Sequence, residues 1–189
     1  SAWSPLAVPL QSSDGSDVLI SGPLEHGEST WVETVITPPA FVSFNWKVFS
    51  ETNDRFTFSI DGTAAGSIGG TDIPNFTSYG KFLTGTAPVR LRWTYAKNGS
   101  GNAGWDTAWL DKVFIAESGG KLTAAANVSG IALTAGGNAG YSFLAHGTPL
   151  ALTDGACATF FGSSPLVNPP PSPQAWLEGT ITGPGVLSL

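Results

Sequence analysis

The sequence predicts an all-β protein, a jelly-roll-like antiparallel β-sandwich followed by a partial second repeat unit. Three observations predict it. Between Trp31 and Gly62 the apolar residues recur at every second position, which places one set of side chains on a buried face and the other toward solvent. The composition is rich in turn formers, with 24 Gly and 14 Pro in 189 residues, and only 12% of residues are charged. The end of the chain repeats its beginning, so the unit that builds the first part is started again.

In chain order, residues 1–13 read as an edge strand interrupted by Pro5 and Pro9, a placement that proline tolerates. Asp14-Gly15 is a turn, Val18 to Ile20 a short strand, and Gly22 to Thr30 a loop. Trp31 to Ile36 alternates, with Trp31, Glu33 and Val35 opposite Val32, Thr34 and Ile36. After Pro38-Pro39, the run Val42, Phe44, Trp46, Val48 is followed by the polar turn Glu51–Asp54 and by Phe56, Phe58, Ile60, closed by Asp61-Gly62. Two alternating runs around a short polar loop predict a hairpin at the centre of the core. The stretch from Gly62 to Gly85 holds one or two short strands. Val89 to Tyr95 is a strand, Asn98 to Gly104 a loop, Trp105 to Ile115 the last strand, and Glu117 to Gly120 a linker. No segment carries a sustained helical period with caps, so almost no helix is expected. Pro169 to Pro173 reads as an extended exposed loop.

The repeat aligns Trp3, Pro9, Leu10, Asp14, Gly15 and Gly22 with Phe143, Pro149, Leu150, Asp154, Gly155 and Gly162, an offset of about 140 residues. After a longer loop, Trp31, Glu33 and Ile36 align with Trp176, Glu178 and Ile181. The expected organisation is a first unit over 1–117, a linker at 118–121, and a partial second unit over 122–189. That second unit is packed on the first or completed by another chain, because open strand edges leave backbone groups unpaired. The start at Ser1 and the absence of methionine point to a processed mature fragment, and the truncated second copy points to a piece of a longer tandem protein.

A net charge of −6, with only eight basic residues, excludes nucleic acid as a partner. Arg90 and Arg92 alternate with Val89, Leu91 and Trp93 and read as a solvated strand face. No apolar run reaches the length of a membrane span, and the single Cys157 excludes an intrachain disulfide. The low charge suits an extracellular or cell-surface setting.

The motifs WVET, SFNWKVFSE, DRFTFSIDG, LRWTYAKNGS and DTAWLDKVFI resemble a repeat module of bacterial secreted and surface proteins. More distantly they are similar to the MAM and laminin-G-like group of concanavalin-type jelly rolls. The resemblance covers about residues 14–115, and part of 154–189. It implies an adhesive, carbohydrate-binding or spacer role; the fold does not decide among these.

Catalysis is not expected. There are only two histidines, His26 and His146, far apart in sequence, and no nucleophile or metalloprotease motif. Glu33 and Glu51 could form a carboxylate pair on paper, but Glu33 recurs as Glu178, which favours a structural role. Asp54, Asp61, Asp106 and Asp111 fall at strand ends and are candidate ligands of a structural calcium ion, with turn and cap roles as the alternative. Of the seven tryptophans, Trp46, Trp93 and Trp109 are assigned to the core, while Trp31 and Trp176 pack against the sheet. Trp105 and Tyr79 are the candidates for stacking on a sugar ring. Sequons occur at Asn75, Asn98 and Asn127.

The expected function is a non-catalytic structural or adhesive module of a repetitive surface or filament-forming protein. Its partners would be copies of itself, joined through open strand edges, or neighbouring repeats. The alternative is a carbohydrate-binding module whose partner is a glycan.

Overall fold

The structure is a computed structural model and describes residues 3–7, 12–22, 24–70, 75–117, 133–137, 142–146, 157–161 and 175–180. None of these is helical, so among them no helix is long and apolar enough to cross a membrane. The strands are β1 (Ser4–Leu6), β2 (Val18–Ile20), β3 (Ser29–Ile36), β4 (Ala40–Phe49), β5 (Arg55–Ile60), β6 (Thr63–Ile68), β7 (Thr77–Leu83), β8 (Val89–Ala96) and β9 (Thr107–Glu117). Four more follow: β10 (Leu133–Gly137), β11 (Ser142–His146), β12 (Cys157–Phe161) and β13 (Ala175–Gly179). The 118–121 linker, the 169–173 proline run and Asn127 lie outside the described residues.

The chain divides into two compact units: residues 1–36, 43–80 and 88–114 form one, and residues 37–42, 81–87 and 115–189 the other. The first is an antiparallel sandwich. One sheet runs β3-β8-β5-β6; the other carries β1-β2-β9, with β4 pairing both β9 and β7. Period-two burial is strictest in β4, where Ala40, Val42, Phe44, Trp46 and Val48 are buried and the residues between them are half-buried. Phe44 is the hub between the sheets. Its ring lies 5.0 Å from Phe58, 5.3 Å from Trp93 and 5.2 Å from Trp46, edge-on in each case. Such offset and edge contacts suit the aromatic quadrupole and fix the sheet separation by ring size. Trp46, Trp93 and Trp109 are all buried, the positions their alternating neighbours imply.

The predicted hairpin between residues 42–48 and 56–60 does not form. β4 and β5 belong to different sheets, and the polar turn Glu51–Asp54 carries the chain from one to the other. Alternation reports which face of a strand is buried, and two strands on opposite sides of a sandwich share that pattern as well as two neighbours do. What ties this turn down is the Asp54 side chain, fully buried, which accepts from the Asn98 amide at 2.8 Å and from the Ser50 hydroxyl. The true hairpin is β5–β6. Its turn residues Asp61 and Gly62 both have positive φ, 48° and 80°, as the tight turn that matches strand twist requires.

In the region expected to hold one or two short strands, the described residues form β6 and β7. β9 starts at Thr107, because Asp106 is left-handed (φ 49°) and keeps Trp105 in the preceding turn. It runs on through Glu117, which the sequence suggested for the linker.

In the second unit β10 pairs with β13, β11 with β12, and Ala145 lies opposite Glu117. The Glu117 carboxylate also accepts from the Thr37 amide at 2.8 Å. The segments aligned with β1 and β2 are β11 and β12, and each couple pairs antiparallel. Trp176 and Glu178, aligned with Trp31 and Glu33, lie on β13. Where β3 has β8 for a neighbour, β13 has β10 from its own unit.

Candidate functional site

The outer face of the four-stranded sheet is built by register. Trp31 on β3 stands opposite Thr94 on β8, which stands opposite Thr57 on β5; one step along, Glu33, Arg92 and Ser59 form the next row, and Val35 faces Arg90. Side chains two apart share a face, so β3 presents Trp31, Glu33 and Val35 here while Thr30 and Ile36 are buried on the other side. Trp31 is 49% exposed and Val35 61%.

Charge organises this face. The Glu33 Oε2 atom accepts from Arg92 at two nitrogens, Nε at 2.7 Å and Nη2 at 2.6 Å, and Arg90 Nε approaches it at 3.7 Å. The Arg92 guanidinium in turn lies over the Trp31 ring, 4.3 Å from its centroid. A planar cation between a carboxylate and an indole is attracted to both. The result is an indole backed on one side by a guanidinium, on the solvent face of a rigid sheet. Beside it lies a groove of about 660 Å³, lined among others by Val35, Ser59, Asp61, Arg90, Arg92 and Thr94. Asp61, in the β5–β6 turn, is among the lining residues, and its backbone and side chain exchange two hydrogen bonds with the Arg90 backbone: Arg90 N donates to Oδ1 at 2.8 Å, and Asp61 N donates to Arg90 O at 2.9 Å.

Of the residues singled out from the sequence, Asp61 lines this groove, while the two aromatics chosen for sugar stacking fall elsewhere. Trp105 is 65% exposed, held by its amide donating to Phe49 O at 3.1 Å and by an edge contact with the Phe49 ring at 5.6 Å. Tyr79 lies on β7. It is half-buried, lies nearly parallel to Phe44 at 5.0 Å, and donates its hydroxyl to Ala65 O at 3.2 Å. Burial pushes its phenol pKa up.

The four aspartates proposed for calcium do not converge. Asp54 and Asp106 meet at one hydroxyl, Ser50 Oγ, the latter at 3.3 Å. Asp106 is paired with the buried Lys97. Asp61 serves the β5–β6 turn, and Asp111 accepts from the amides of Ser13 at 2.6 Å and Lys112 at 2.7 Å. Among the described residues no three His, Cys, Asp or Glu side chains are grouped to hold a metal ion. Tyr95 donates to Ser50 at 2.8 Å, and burial raises its pKa, with the Asp54 and Asp106 charges adding to the rise.

Sequence reasoning put Arg90 and Arg92 on a solvated face and missed their meeting with Glu33 and Trp31. The available signal was the shared alternation of the two strands, which could be read only with the register in hand.

No family model matches the chain, and no curated protein does. Among solved structures, it is similar to one described as TmCBM61 in complex with beta-1,4-galactotriose, at 11% identity and a TM-score of 0.44, over 60% of this chain and 81% of that one. A likeness of that degree carries no argument about ligand or mechanism. From its own strands and registers, this chain is an all-β antiparallel sandwich with a tryptophan and two arginines gathered on one exposed sheet face.

Proposed function

We propose that this chain is a non-catalytic glycan-binding module of an extracellular protein, with the groove on the β3-β8-β5 face as its site. The observation that carries the reading is the Trp31 ring, half exposed and backed by Arg92, next to a groove of sugar-binding size with a mixed polar and apolar lining. Pyranose rings have apolar C–H faces and polar rims. An indole takes the face, while Arg, Asp, Ser and Thr side chains meet the hydroxyls. Glu33, two positions along β3 from Trp31, is held by two guanidiniums, an arrangement suited to shaping a surface rather than moving protons.

Titration calorimetry against a panel of plant, bacterial and animal polysaccharides tests the reading. Trp31→Ala is expected to abolish binding while leaving the melting temperature nearly unchanged. Loss of binding in Trp105→Ala with Trp31→Ala unaffected would move the site to the 98–105 loop.

A second reading is favoured by one observation, the recurrence of the β1–β2 couple as β11–β12. It supports a structural or adhesive repeat that associates with copies of itself or with adjoining repeats. Light scattering over a dilution series addresses it, and a mass that stays monomeric at every concentration rejects self-association.

A further inference from the structure

We infer that the groove is selective for a glycan carrying carboxylates, a hexuronate-containing chain, with Arg90 as the anchor for the acid group; this rests on the glycan-binding reading above. The two arginines on β8 are in different states. Arg92 is occupied, since two of its nitrogens hold Glu33 Oε2 and its Cζ lies over the Trp31 ring. Arg90 meets the same oxygen only through Nε, at 3.7 Å, and its side chain is 56% exposed. Among the described residues its two terminal nitrogens have no partner, yet the residue lines the groove.

A guanidinium with its outer fork unoccupied matches a carboxylate, whose two oxygens can accept in parallel. The backbone of Arg90 is fixed by its two hydrogen bonds to Asp61, so the side chain leaves the sheet from a set position. The other charges facing the groove do not serve that fork: Glu33 is shared with Arg92, and Asp61 Oδ1 receives the Arg90 amide. Two positive and two negative groups line or border the groove, so its net charge does not select. Selection comes from position, with the available donors at the Arg90 end and the apolar platform at Trp31.

The test is calorimetry of the full chain with polygalacturonate, alginate and hyaluronan oligosaccharides, each alongside its carboxyl-reduced form. At least one acidic oligosaccharide is expected to bind about tenfold or more tightly than its reduced form, as a charge-assisted pair implies. Added salt is expected to narrow the difference, because the guanidinium is exposed. Arg90→Gln is expected to remove the preference without lowering the melting temperature, and Arg90→Lys to keep part of it. Equal binding of acidic and reduced forms, or a preference unchanged in Arg90→Gln, overturns the inference. If a neutral glycan binds in a Trp31-dependent way regardless of Arg90, the glycan reading stands and only the acid selectivity falls. If no glycan of either kind binds, both fall.

Discussion

The Lys97 ammonium lies 2.5 Å from the Asp106 carboxylate, with the lysine side chain 1% exposed and the aspartate 21%. Lys97 also donates to Asn102 Oδ1 at 3.0 Å. These contacts fix the 98–106 loop against the network of Ser50, Asp54 and Tyr95. Removing the lysine leaves the mostly buried Asp106 carboxylate without its cation, with only the long contact from the Ser50 hydroxyl to offset the charge. Lys97→Met is therefore expected to destabilise the fold by about 2–4 kcal/mol in urea unfolding. The double change Lys97→Met with Asp106→Leu is expected to recover part of the loss, and additive losses would show that the two side chains are not coupled.

Phe44 and Trp105 make opposite predictions. Phe44 is buried among Trp46, Phe58, Tyr79 and Trp93, so Phe44→Ala opens a cavity the sheets cannot close, at a cost of about 3–5 kcal/mol. Trp105 is mostly in water, and Trp105→Ala is expected to shift stability by less than about 1 kcal/mol. The pair of denaturation midpoints checks the assignment of core and rim.

Tyr95 sets a limit at high pH. Its folded pKa is raised by burial above the unfolded value of about 10, so its contribution is complete below that pH. As pH climbs past it, unfolded chains release the proton and folded ones do not, so stability falls. Unfolding followed from neutral pH upward is expected to show this decline, and Tyr95→Phe is expected to flatten it. Ultraviolet absorbance is expected to show Tyr95 ionising only as the fold is lost.

Glu33 is the positioning residue of the candidate site. Glu33→Gln removes the charge that holds Arg92 over Trp31 and also releases Arg90. Since the pairs are partly exposed, the change in stability is expected to be under about 1 kcal/mol. Affinity for glycan is expected to drop several-fold, with Glu33→Asp restoring less than the full value. Unchanged affinity in Glu33→Gln would remove the clamp from the binding account.

The strands were legible wherever one face is buried and the other is not. β3, β4, β5 and β8 lie within two residues of the alternating runs that predict them. Partnership was not legible. The runs now in β4 and β5 looked like a hairpin because faces alternate identically in paired strands and in strands facing one another across a core. β9 broke the rule from the other side, with four successive residues, Ala108 to Asp111, buried. The site was hidden for the same reason as the hairpin. Glu33 and Arg92 are 59 positions apart in sequence, and only the β3–β8 register puts them in one row. Tyr79 near Gly80 read as an exposed ring, whereas it lies within β7, half-buried, with its ring against Phe44.

Trp31 rests on Arg92, and Arg92 rests on Glu33. This stack has an entropic consequence. An indole already settled on its cation has few rotors left to freeze when something lies down on its other side, so the loss of freedom falls almost wholly on the arriving molecule. A short, stiff saccharide is therefore expected to hold better on this surface than a floppy one of equal contact area.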